Sequence, residues 1–498
     1  MSDTSTTSGS TKVAGTPDGA GEQQTSGLDR FFHISERGST VGREMRAGVV
    51  TFFAMAYIVL LNPLILGTGA DSEDTVLGIP QVAAATALVA GIMCILFGAV
   101  ANYPFGIAAG LGLNTLVAVT LVGTEGLTWP EAMGLVVIDG IIIVLLALSG
   151  FRTAVFRAIP PSMKAAIGVG IGMFISLIGF VDAGFVRRIP DEAMTTVPVQ
   201  LGINGSIASW PTLVFILGLF ICGFMVARKI PGGLFIGIVL NTIIALIVEA
   251  ATGAGSSAEN GPTGWSLAVP SLPESLGGVP DLSIVGKVDL IGAFTHIGVV
   301  TASLLVFTLV LANFFDAMGT MTALGRQAKL VDENGELPDM KKALVVEGFG
   351  AIVGGAGSAS SATVYVDSSA GIADGARTGL ANIVTGLLFL AAMFFTPLYE
   401  IVPIEAAAPV LVIVGALMMM QITEIDWTQF HIALPSFLTI VAMPFTYSIA
   451  DGIGIGFITF AVFSVFAGKA KDVHWIMWLI SALFVVFFAM DPIMSAIS

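Results

Sequence analysis

The 498-residue sequence predicts an all-α membrane protein of fourteen transmembrane segments, arranged as two inverted repeats of seven, with short antiparallel strands in segments 3 and 10. Three observations carry this. The composition is 55% hydrophobic and only 11% charged, with a mean hydropathy of +0.93, whereas a soluble domain carries about 25% charge. The basic residues fall on alternate loops. Two short glycine-rich stretches, 103–119 and 362–378, occupy matching positions in the two halves.

Residues 1–29 are rich in Ser, Thr and Gly and poor in apolar residues, the composition of a disordered tail. The chain has no signal peptide pattern. The first apolar stretch follows an arginine cluster, Arg30, Arg37, Arg43 and Arg46, which predicts a cytoplasmic N-terminus. Runs of about 20 apolar residues, the length that spans a hydrocarbon core, place segments near 48–68, 82–101, 104–122, 131–150, 162–181, 211–227 and 231–251. A second set follows near 298–323, 341–356, 362–378, 379–399, 405–421, 432–447 and 450–467. The first repeat thus covers 30–251 and the second 298–468, with an extracellular Gly, Ser and Pro-rich connector at 252–297. Residues 469–498 are expected to form a C-terminal amphipathic or hydrophobic helix, either interfacial or spanning. The short alternating segments of a β-barrel are not seen.

Crossing count tests this plan. Starting inside, all basic residues of the chain but Arg187, Arg188 and Lys287 fall on the tail or on inner loops, as the positive-inside bias demands. The outer loops carry Asp71, Glu73, Asp74, Glu125, Asp191, Glu192, Glu274 and Asp281. The net charge of −15 is therefore mostly a solvated outer face, and with no basic stripe nucleic acid is not expected as a partner. Cys94 and Cys222 lie in apolar runs and read as small buried hydrophobes. Two sets of seven segments, an odd number each, run in opposite directions, which is an inverted repeat.

The stretches 103–119 and 362–378 are too broken, by Gly in both and by Pro104 in the first, for full-length helices. Such backbone survives at membrane depth where it lines a cavity and is buried by protein. Each reads as an extended piece followed by a half-helix. The extended pieces would pair as two strands, and the half-helix N-termini would present unbonded N–H groups to a ligand. Paired interruptions of this kind point to a transporter binding site.

Two carboxylates stand out, because an ionisable group in a spanning helix costs roughly 2.5–3.5 kcal/mol on insertion scales. Asp316 lies well inside LVFTLVLANFFDAMGTMTALG, as a ligand site or a structural carboxylate at a kink. Thr320, four residues on, shares its helical face, as an auxiliary hydroxyl or a group bonded to its own backbone. Asp367 stands near the N-cap of the second half-helix, where capping and ligand binding are compatible. Asn114, in GLGLN, offers donors and an acceptor that suit a heterocycle edge or an interhelical bond. Asp139, Glu347, Asp374 and Asp451 suit structural pairing as well as coupling, and Glu249 reads as solvated at the outer interface. The four histidines lie near segment ends and no metal site is expected. HExxH, Walker and GxSxG motifs are missing, so the chain reads as a transporter rather than an enzyme, and no cofactor is expected.

Four motifs in order, FFHISERGSTVGREMRAGVVTFFAMAYIVLLNPLIL, PFGIAAGLGLN, ANFFDAMGTMTALGRQAKL and VYVDSSAGIADGARTGL, resemble the nucleobase:cation symporter 2 family, in its AzgA-like adenine, guanine and hypoxanthine permease branch. The resemblance runs from about Phe31 to the end of the chain. It implies a core domain of segments 1–4 and 8–11 and a gate domain of segments 5–7 and 12–14. It also implies purine binding at Asn114, Asp316 and Asp367. The tenth-segment motif of this branch usually carries Glu where this chain has Asp367, which is one methylene shorter. The expected activity is import of purine nucleobases across the cell membrane by proton symport with alternating access. Asp316 and Asp367 are the proton-coupling candidates, and sodium is the alternative ion. Uracil or xanthine transport, an anion carrier of related architecture, a channel and a membrane-embedded enzyme are the competing readings. An anion carrier would be expected to place a base, not two acids, at the interrupted helices. Other partners implied are the lipid bilayer and, as a prior from the family, a second copy of the chain paired through gate helices.

Overall fold

A computed structural model describes residues 27–497, apart from 150–157, 190–198, 267, 273, 274, 276, 332–336, 399 and 400. The expected tail up to residue 26 therefore lies outside the described residues, as do Arg152, Arg157, Asp191, Glu192 and Glu274. Residues 27–29 belong to a short helix, α1 (Gly27–Phe32).

Each expected segment has a counterpart. In the first half these are α2 (Val41–Met55) with α3 (Tyr57–Leu66), α4 (Ile79–Val100), β1 (Ile107–Ala109) with α5 (Leu111–Thr115) and a π-helical stretch Leu116–Thr124, α6 (Trp129–Ser149), α7 (Pro161–Asp182), α8 (Trp210–Ala227) and α9 (Gly233–Thr252). A small hairpin, β2 (Val186–Arg188) and β3 (Val199–Leu201), follows α7. In the second half they are α10 (Val299–Gln327), α11 (Met340–Ala356), β4 (Ala362–Val364) with α12 (Ser369–Asp374), α13 (Gly379–Ala392), α14 (Ile404–Met419), α15 (Phe430–Thr446) and α16 (Ile449–Phe466). The chain ends in α17 (Trp475–Ile497), 23 residues long. Among the described residues, seven helices are long and apolar enough to cross a membrane, and Val366–Asp374 with Gly379–Phe395 form a broken pair bent by 118°.

Local chemistry sets several boundaries. The hydroxyl of Thr40 accepts from the amide of Arg43 at the start of α2, and that of Ser209 accepts from Thr212 at the start of α8. Pro80, Pro161 and Pro211 sit in first turns, where a missing N–H costs nothing.

The helices pack in two groups. One, the core, joins α2, α3, α4, α6, α10, α11 and α13 around the two interrupted segments; the other, the gate, joins α7, α8, α9, α14, α15 and α16, and α17 lies on α16. In lipid the apolar surface of a helix is indifferent to its neighbour, so close packing decides association. Gly98 meets Gly379 where α4 crosses α13, and a side chain at either would run into the other's backbone carbonyl. Gly172 and Gly415 make the same approach between α7 and α14 in the gate.

At the centre of the core, β1 and β4 pair antiparallel, with Ile107 opposite Val364, Ala108 opposite Thr363 and Ala109 opposite Ala362. All six residues are buried. Each strand is only three residues long, so side chains complete the bonding: Cys94 Sγ lies 3.2 Å from both N and O of Ile107, and Asn382 donates to Phe105 O at 2.7 Å. Burying backbone this deep is tolerable only because its polar groups are paired.

The connector is fastened to both groups. Toward the gate, Trp265 Nε1 donates to Glu249 (2.7 Å) and Ser266 N donates to Glu405 (2.9 Å). Toward the core, Gly278 N donates to Phe394 O (2.9 Å) and Gly286 N to Ala356 O (2.7 Å), and Gln81 donates to Asp281 (2.9 Å).

Candidate functional site

Between core and gate, beside the paired strands, is a cavity of about 120 Å³. The core supplies its polar wall: Asp316 and Thr320 from α10, Thr363 from β4, Asp367 from the turn before α12, and Tyr57 at the start of α3. Residues Gly110–Leu113, the first turn of the helical part of segment 3, also line it, and first-turn N–H groups lack partners within their own helix. From the gate come Ile171 and Ile175 of α7, Val414 and Met418 of α14, and Gln421 just beyond them. The result is one face that can accept hydrogen bonds and one that can clasp an apolar ring. Among the described residues, its lining holds two carboxylates and no basic side chain.

The local fold explains each placement. Asp316 and Thr320 are four residues apart on one helix and so point the same way. Asp367 is in a 3₁₀ turn, Val366–Ser368, rather than at the N-cap of α12, which is Ser368. Ser368 is bonded across the repeat, accepting from Gly106 N at 2.8 Å. Asp367 Oδ2 accepts from the hydroxyl of Tyr57 at 3.1 Å. Tyr57 itself follows Ala56, where a 26-residue span, Val41–Leu66, is interrupted between α2 and α3. Tyr365, two residues before Asp367, reaches back to the carbonyl of Ala109 on the partner strand.

The three expected residues Asp316, Thr320 and Asp367 thus come together on one wall. Asn114 is fully buried and is not among the lining residues. Its Nδ2 donates to Asn62 Oδ1 at 2.6 Å, and Asn62 donates in turn to Thr86 (2.8 Å) and to Ala359 O (3.2 Å). This relay ties the first turn of segment 3 to α3, α4 and the loop before β4. A second relay runs from Asn313, which donates to Asp139 (3.1 Å) and Ser361 (2.9 Å). The sequence reading missed Tyr57, Asn62, Asn313 and Gln421. The two amides carried a usable signal, since a polar side chain inside an apolar helix generally finds a partner; Tyr57 and Gln421 carried none.

Residues 42–455 match the model of a permease family, Xan_ur_permease. The chain belongs to this family, the nucleobase:cation symporter 2 permeases. It is 37% identical over 468 residues to guanine/hypoxanthine permease PbuG of Bacillus subtilis (strain 168), covering 93% of this chain and 99% of that one. It is 34% identical to adenine permease AdeQ of Escherichia coli (strain K12), covering 92% of this chain and 95% of the relative. Among solved structures it is similar to the transmembrane domain of the cyanobacterial bicarbonate transporter BicA, with a TM-score of 0.56 and 16% identity over 83% of this chain and 96% of that one. The murine anion transporter Slc26a9 in its inward-facing state gives a TM-score of 0.54 at 12% identity, over 86% and 68% of the two chains. These two likenesses concern the fold. The permease is accordingly a multi-pass membrane transporter and not an enzyme.

Proposed function

We propose that the permease imports purine nucleobases by proton symport, with the N-terminus in the cytoplasm and the core moving against the gate around the cavity. The observation that carries this reading is the lining of that cavity: two carboxylates, from α10 and from the turn before α12, face a mostly apolar gate wall, with no basic side chain among the described lining residues. A planar base has ring faces for Ile171, Ile175 and Met418 and edge N–H groups for carboxylates to accept. Its ring nitrogens are acceptors for the first-turn N–H groups of segment 3. The names of PbuG and AdeQ support the substrate class, purines. An anion of the kind named for the fold neighbours would meet Asp316 and Asp367 with no compensating charge.

In this reading Asp316 and Asp367 bind the base and one of them carries the proton. Asn114 acts from behind, fixing the turn that presents the N–H groups. Desolvation favours the neutral carboxyl and water the ionised one, so movement of the core between a dry and a wet setting would load and release a proton. The test is uptake of labelled adenine, guanine, hypoxanthine, xanthine and uracil in transporter-deficient cells, with and without a proton uncoupler. Accumulation of a purine that collapses with the uncoupler is expected. Uptake insensitive to the uncoupler overturns proton coupling, and preference for uracil overturns the purine assignment.

A further inference from the structure

A second cavity, of about 360 Å³, lies on the connector side of the first. The same elements build both. On α3 the lining passes from Tyr57 to Leu64, Ile65 and Thr68; in segment 3 from Gly110–Leu113 to Thr115, Ala118 and Val119; on α14 from Val414 and Met418 to Ile404 at its start. On α7 the inner cavity takes Ile171 and Ile175, and the second takes Ile178 and Asp182. Those four positions follow one another at helical spacing, so they form a single stripe along α7. The two cavities are successive chambers of one seam between core and gate.

An aromatic contact borders the second cavity. Phe174, on α7 one residue before Ile175, meets the ring of Tyr447 edge-on at 5.3 Å between centroids. Phe174 is 1% exposed, while Tyr447, which lines the second cavity, is 40% exposed. Tyr447 closes α15 in a left-handed conformation, φ 57°, a geometry uncommon for a bulky residue, and this turn directs its ring into the seam. In the wall stand one charged side chain, Asp182, and one aromatic, Tyr447, with Thr68, Thr115 and Ser266 and aliphatic residues around them. This repeats the inner chamber's chemistry, a carboxylate that accepts N–H donors and apolar surface that takes a ring face. Among the described residues, no side chain lining either chamber is basic.

We propose that the second cavity is a docking site for the purine base on its way to the inner site, with Asp182 accepting from the base and Tyr447 packing on its ring. It rests on the purine reading above for its ligand. Its own content is a binding step separable from the inner one.

The test uses the full-length permease in cells and a membrane-impermeant maleimide. Both native cysteines are buried, so a cysteine introduced by Ala118→Cys, or by Val119→Cys if the first variant fails to fold, reports on the second cavity. Hypoxanthine or adenine is expected to protect it from labelling. Protection should survive Asp316→Asn, which disables the inner site, and should need roughly tenfold more base after Asp182→Ala, the loss expected for a hydrogen bond to a charged group. Protection that disappears with Asp316→Asn, or that is indifferent to Asp182→Ala, overturns the docking site while leaving the purine reading standing. If the parent permease takes up no purine at all, the purine reading itself fails.

Discussion

The hydroxyl of Tyr57 donates to Oδ2 of Asp367 across 3.1 Å, joining the first segment of one repeat to the third of the other. The bond holds one carboxylate oxygen and leaves the other for the cavity. Tyr57→Phe is expected to raise the KM for purine uptake roughly tenfold, since hydrogen bonds to charged groups contribute about 1.5–3 kcal/mol. In an Asp367→Asn background the same change should cost much less. Equal losses in both backgrounds would show that Tyr57 acts through packing alone.

Asp316→Asn and Asp367→Asn are each expected to abolish accumulation of purine against a gradient. Asp367→Glu keeps the charge but reaches one methylene further into a cavity of about 120 Å³, so it should retain coupling and alter the ranking of adenine, guanine and hypoxanthine. Competition among the three labelled bases measures it. Wild-type accumulation in either Asn variant would remove that residue from the site.

Asn114→Ala removes the donor to Asn62 Oδ1 and leaves a buried acceptor without its partner, a loss of about 1–3 kcal/mol. The expected result is a lower unfolding temperature in detergent, with purine affinity falling less than in Asp316→Asn. A large affinity loss at unchanged stability would mean that the amide touches the base directly.

In the connector, Asp289 is held below the usual carboxylate range by the backbone N–H groups of Gly292 and Ile291, and Asp281 by the backbone N–H of Ser283, with Gln81 assisting. A carboxylate lowered on folding stabilises the fold above its unfolded pKa and loses that contribution as pH falls through its folded value. Limited proteolysis should therefore cut the connector little at pH 7 and increasingly below about pH 4, near the unperturbed aspartate value. Asp289→Asn should show rapid cutting already at neutral pH.

Much of this was legible from residue patterns, for physical reasons that differ by element. Long apolar helices announce themselves because lipid demands about 20 consecutive apolar residues. The strand pairing was legible because Gly at membrane depth in 103–119 and 362–378, with Pro104 in the first, leaves few alternatives. Asp316, Asp367 and Thr320 were found because charge in lipid is costly and helical spacing is regular. What stayed hidden depends on contacts distant along the chain. Asn114 looked equally suited to a ligand and to a neighbour, and only the position of Asn62, 52 residues earlier, distinguishes a residue behind the wall from one on it. Glu249 reads as solvated from its place near a segment end, yet it accepts from Trp265, a residue with 0% exposure. The second cavity has no sequence signature, because it is made of the ends of segments from both repeats.

The connector acts as a leash with a calculable length. Its gate anchor at Ser266 and its core anchor at Gly278 are separated by a stretch that can extend at most about 40 Å at 3.3–3.6 Å per residue. Sliding the core past the gate by one helical turn, about 5.4 Å, lies well inside that limit. The leash is therefore long enough for the sliding that the proposed transport cycle needs, while the bonds at its two ends hold it to both groups.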